Sequence, residues 1–222
     1  MQVAGVCGLV ACHSTAGEFR EMIAHEKLSA DDLAQAHEAF EKNESRDLFY
    51  RAATEFVSLA LDGKSSLTLA EALAVLLQTW NKSYYRFSPF DEKHFADIEA
   101  VLKEHRSALL QFRTQSISGL DRRDEGSVRD TFHSFEEVLG PVGAAKALHL
   151  LAPQFFPIWD TAIAKIYGCN LKRRGQNSEN YWSFIEIVRA VCQGLAQTEP
   201  PGGNLLKAID EYNYCKYTKG WI

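Results

Sequence analysis

Apolar residues recur along most of this chain at helical spacing between cap signals, and no segment alternates with the period of two that a half-buried strand requires. An all-α fold follows. Ser29 stands ahead of Asp31 and Asp32 and of a helix that turns Leu33 and Phe40 inward. After Asn43 a second helix carries Phe49, Phe56, Leu59 and Leu61 to the breaker Asp62-Gly63-Lys64. Thr68 and Glu71 form a capping box, whose two side chains satisfy orphan amides of the first turn, so a helix is predicted from there to Trp80. Beyond Ser88-Pro89, one long amphipathic helix is expected to present Phe95, Ile98, Leu102, Leu109 and Phe112 to a core. A charged turn at 119–126 precedes a helix with Phe132, Phe135, Val138 and Leu139, which Gly140 stops. A last pair, at 178–197 and 204–214, is joined by Pro200-Pro201-Gly202-Gly203. With no internal repeat or long linker, residues 1–222 read as a single domain, an ordinary one or two small helical lobes sharing a core.

A chain of 222 residues can bury a core without disulfides. Its five cysteines are odd in number, scattered, and free of any C-x-x-C pair, which predicts reduced thiols and a cytoplasmic setting. Leu9-Val10-Ala11-Cys12 resembles a lipoprotein cleavage box, but no Lys or Arg precedes it and the apolar run is short, so neither export nor a membrane partner is expected. The formal net charge of -5 excludes a chain-wide basic surface while leaving room for a local patch. Seven histidines occur without an H-E-x-x-H pattern. Asp91 and His94, and Asp130 and His133, read as surface pairs, and Cys7, Cys12 and His13 are too few to build a site on. No metal and no cofactor is therefore predicted.

The segment Leu139-Gly140-Pro141-Val142-Gly143-Ala144 joins two apolar helices through paired glycines, and an exposed turn is expected there. The amides of Gly140, Val142, Gly143 and Ala144 would then face an anion at a helix N-terminus, although a close-packed αα-hairpin explains the same glycines. Downstream, Ile158-Trp159-Asp160-Thr161-Ala162-Ile163 opens a short helix with Asp160 at its N-cap, a role that needs no catalytic purpose. Trp80, Tyr84, Tyr85 and Trp159 are candidates to stack on a planar ligand, with core packing as the plain alternative. Lys172, Arg173 and Arg174 form a compact basic loop able to meet phosphates, or simply a solvated loop.

Over residues 132–168 this combination resembles the helix-hairpin-helix DNA glycosylase superfamily, in which a Leu-Pro-Gly-Val-Gly-like hairpin precedes a helix and a Val-Asp-Thr-His-like segment. The resemblance implies a two-lobed all-α fold with a helix-hairpin-helix motif. It also implies double-stranded DNA carrying a damaged or modified base as partner, and hydrolysis of the N-glycosidic bond. Asp160 would stay ionised beside the sugar and orient water, and Lys146 would offer an amine for a sugar Schiff base. Gly140-Pro141 stands where the family has Pro-Gly, and Asp160 follows Gly143 by 160 − 143 = 17 places, a few fewer than in the family. Lys146 stands one place beyond the family's lysine, which is Ala145 here. One residue rotates a helical side chain by about 100°, so no efficient Schiff-base trapping is expected, and Lys146 also reads as a solvated helix lysine. The alternative is a non-catalytic helical module that binds nucleic acid or protein, with Asp160 serving only as a cap.

Overall fold

The computed structural model describes residues 28–222, and within them every regular element is helical. Cys7, His13 and the segment from Leu9 to Cys12 lie outside the described residues. The main helices are α1 (Ala30–Asn43), α2 (Asp47–Leu61), α3 (Leu69–Trp80), the single turn α4 (Lys82–Tyr85), α5 (Glu92–Glu104), α6 (Arg106–Arg113), α7 (Glu125–Leu151), the short α8 (Thr161–Ile166), α9 (Ser178–Gly194) and α10 (Leu205–Asn213). A π-helical turn, Tyr214–Lys219, continues α10. No helix among these is long and apolar enough to cross a membrane. Cys169, Cys192 and Cys215 are buried.

The cap signals act as the sequence reads them. Thr68 Oγ1 accepts the Glu71 amide at 3.2 Å while Glu71 Oε2 accepts the Thr68 amide at 2.7 Å, and Ser29 and Asp32 make the same reciprocal pair at the start of α1. Asp91 spends its carboxylate capping the His94 amide rather than meeting the imidazole, which instead pairs with Tyr85. The long helix expected from Phe95 to Phe112 is two helices, divided at His105, whose ring is engaged by Thr131 of α7 at 3.3 Å. That contact joins residues distant in sequence, so local periodicity carries no sign of the break.

Buried apolar side chains form one cluster that reaches from Leu33 on α1 to Tyr212 on α10. The long α7 is its axis: α2, α3, α5 and α6 pack on it, and α9 packs on it beside Phe132 and Trp159. After α9 the chain returns so that α10 lies against α1.

α7 also overturns the exposed turn. Gly140, at φ 69°, bends the helix, and Pro141, which lacks an N–H, begins its second half, but the segment is no open hairpin. Gly140, Gly143 and Ala144 are buried, with Val142 half-buried. The bend frees carbonyls at the end of the first half, and these are met from α4 and the residue before it: Tyr84 Oη donates to the Val138 carbonyl at 2.8 Å and Asn81 Nδ2 to that of Leu139 at 3.4 Å. Side chains that cap the break also cover it, so the glycines serve close packing and offer no surface to a phosphate.

Candidate functional site

Beyond the kink, one and a half turns into the second half of α7, Lys146 is buried rather than solvated, at 8% exposure. Its Nζ donates to the Trp80 carbonyl at the C-terminal, partially negative end of α3. Burial pulls the amine down to about 8, against the pull of Asp210 and Asp160, with Arg46 adding to the fall. Asp160 caps α8 by accepting the Ile163 amide at 2.8 Å on Oδ1, while Oδ2 accepts the Thr218 hydroxyl at 2.8 Å from the π-helical turn. The N-cap reading is therefore correct, and the second oxygen ties α8 to the C-terminal segment.

Lys146 and Asp160 line the same cavity, of about 390 Å³, between α1, the α3–α4 junction, α7, α8 and α10. Phe40 and Trp80 give it aromatic surface. At one side Arg46 Nε donates to Glu44 Oε1 at 2.7 Å, and Tyr214 Oη donates to Glu44 Oε2 and accepts from Arg46 Nη2, both at 2.8 Å. The Arg46 hydrogen bond, joined by that of Tyr214, holds the Glu44 carboxyl down at about 2 against burial. At the other side Asp210 projects from α10. Burial pushes its carboxyl up to about 7; Lys207 opposes this and Asp160 and Glu211 reinforce it. Lys207 is itself enclosed, with Nζ 2.6 Å from Glu211 Oε1 and 4.0 Å from the Phe40 ring centre. The cavity thus combines an amine of lowered basicity, three carboxyl groups in unlike surroundings and flat apolar walls.

Of the four aromatics proposed as a stacking pocket, only Trp80 lines this cavity. Trp159 is wholly buried, donating from Nε1 to the Pro141 carbonyl at 3.0 Å and packing on Phe132, Tyr181 and Phe184, so it cannot stack on a ligand. Tyr84 is committed to the kink, and Tyr85 packs against Phe90 and His94. Val142 contributes to the cavity wall instead of an outer surface.

Lys172, Arg173 and Arg174 are exposed, on a loop fixed from beneath by the buried pair Glu136 and Asn177. Asn177 Oδ1 accepts the Lys172 amide at 2.6 Å and its Nδ2 donates to the Arg173 carbonyl at 3.0 Å. Arg174 reaches Tyr84 Oη at 3.4 Å, which sets the loop beside α4, where Lys82 and Arg86 are also exposed and Ser83 lines the cavity. A cationic surface thus flanks the cavity despite the net acidity of the chain.

Asp210, Glu44, Arg46 and Tyr214 carry no sequence motif. Lys207, Asp210 and Glu211 have the i, i+3, i+4 spacing of a solvated helix face, and only the packing of α10 on α1 turns that face inward. Compared with known proteins, the chain matches no family model, no curated protein and no solved structure.

Proposed function

We propose that this protein excises a damaged or modified base from double-stranded DNA by cleaving its N-glycosidic bond. The observation that carries the reading is the convergence of Lys146 and Asp160 in one cavity with the aromatic face of Trp80. An extruded nucleoside would enter the cavity beside Trp80, while the cations of the 172–174 loop and α4 meet the phosphates beside it. Asp160 would stabilise positive charge on the sugar as the base departs. The lowered basicity of Lys146 leaves part of its amine neutral near pH 8, a form able to attack C1′. The glycine kink has no part in this scheme, since its residues are buried.

The test is single-turnover excision on duplexes that each carry one modified base, with and without borohydride. Excision by the purified protein, abolished in Asp160→Asn, supports the proposal. A trapped adduct that vanishes in Lys146→Ala identifies the amine as nucleophile, and excision without trapping assigns attack to water. The absence of excision across the panel favours a second reading, a binding module. Both Asp160 oxygens are already spent, on Ile163 and Thr218, as a purely architectural residue would spend them.

A further inference from the structure

A buried polar group ordinarily finds a protein partner, because leaving it unpaired costs its desolvation. Four buried polar side chains line the cavity: Glu44, Asn81, Lys146 and Asp210. Arg46 and Tyr214 hold the first, Asn81 donates to Leu139, and Lys146 donates to Trp80. The carboxyl of Asp210, at 6% exposure, makes no hydrogen bond with any described residue, and its oxygens are not among the sealed, unpartnered atoms of the interior. Its free hydrogen-bonding capacity therefore opens on the cavity.

We propose that Asp210 is the acid of the site, delivering a proton to the heterocycle as the glycosidic bond breaks. The inference rests on the base-excision reading and adds a catalytic group to it. In the step, the C1′–N bond breaks and its electron pair leaves with the heterocycle. The Asp210 O–H bond breaks and its proton goes to a ring nitrogen or exocyclic oxygen of that heterocycle. Water adds to C1′ and releases its proton to solvent, from which Asp210 is reprotonated. One water is consumed, and the sugar hemiacetal and the neutral base are the products.

The surroundings suit an acid. The Asp160 carboxyl takes two donated hydrogen bonds and the Asp210 carboxyl none, so these two of the three carboxyls lining the cavity stand in unlike environments. On α10 itself, Lys207 is committed to Glu211 at 2.6 Å and to Asp47 of α2 at 3.5 Å, so it does not pair with Asp210. Its charge nonetheless favours ionised Asp210 most strongly, with Lys146 from α7 adding to it, while Asp160 and Glu211 oppose it. Tyr50 of α2 and Cys215 of the π-helical turn also feel the Asp210 charge, and His37 of α1 is turned to Glu211 at 2.7 Å. Burial dominates, and Asp210 loses its proton near pH 7, so the proton-donating form falls away as pH rises through that value.

The experiment compares two duplex probes, one with hypoxanthine, which leaves as an anion unless protonated, and one with 7-methylguanine, which leaves neutral without a proton. With wild-type protein, hypoxanthine excision is expected to fall about tenfold per pH unit above pH 7, and 7-methylguanine excision to lack that limb. Asp210→Asn should slow hypoxanthine release by about a hundredfold or more while changing 7-methylguanine release by less than about fivefold. Equal losses on both probes, or no loss on either, would overturn the assignment. If Asp210→Asn does not fold, the two wild-type pH profiles decide the matter, identical profiles rejecting the proposal. Wild-type protein that excises neither these bases nor any other in the panel removes the base-excision reading and this inference with it, whereas excision that is indifferent to Asp210 removes this inference alone.

Discussion

The kink of α7 and the cavity a few residues beyond it meet the same problem in opposite ways. At the kink, the interrupted helix leaves polar groups inside the protein, and Tyr84 and Asn81 close on the Val138 and Leu139 carbonyls. In the cavity, the Asp210 carboxyl accepts no hydrogen bond from a described residue and Lys146 is held where burial lowers its basicity. Polar groups are thus satisfied at the helix break while a carboxyl is left open at the cavity, the kind of contrast that marks a candidate site. The glycines that draw the eye in the sequence are packed architecture.

The contrast is tested most strongly at Asp160. Asp160→Asn keeps an acceptor for the Ile163 amide, so unfolding free energy should change by less than about 1 kcal/mol. Base excision should slow by two or more powers of ten, because the negative charge is gone. Full excision by a folded variant would reduce Asp160 to a cap.

The architectural side breaks at Gly143. A Cβ there would lie 2.7 Å from Asn81 Nδ2 and 3.0 Å from the Leu139 Cβ, so Gly143→Asp should destabilise the protein by about 1–3 kcal/mol in urea unfolding. A variant as stable as wild type that binds duplex more weakly would restore the glycines as a phosphate site. Next in size is the basic loop. Replacing Lys172, Arg173 and Arg174 together with alanine should weaken duplex binding more than about tenfold at low salt and flatten the dependence of log affinity on log salt by about 2 to 3. An unchanged slope would place the nucleic acid elsewhere. The smallest effect is Tyr84→Phe, which removes one hydrogen bond at the kink and should cost about 1 kcal/mol of stability with excision per folded molecule unchanged. A larger loss of excision than of stability would draw the kink into the site.

Much of the frame was legible because its signals are local. Periodicity pointed to the all-helical class, the Thr68 box and Ser29 marked helix starts, and Asp160 capped the helix it was read to cap, since each of these depends on residues within about one turn. Core packing of Trp159 was one of two open readings, and the Phe132, Tyr181 and Phe184 cluster decides for it, whereas the division at His105, whose ring Thr131 meets from far along the chain, was not legible.

For the cavity the boundary is sharper. Sequence alone singled out Lys146, Asp160 and Trp80, but it read the lysine's helix face as open to water and saw no partner for it. Tertiary structure brought α10 against α1, so that Tyr214 reaches Glu44 across 170 positions and Asp210 joins Lys146 at the same cavity. Whether a charged residue on a helix faces solvent or another helix is set by what packs over it, and burial then fixes its basicity. The residues were written in the chain, and their proton chemistry was decided by the fold that dried them.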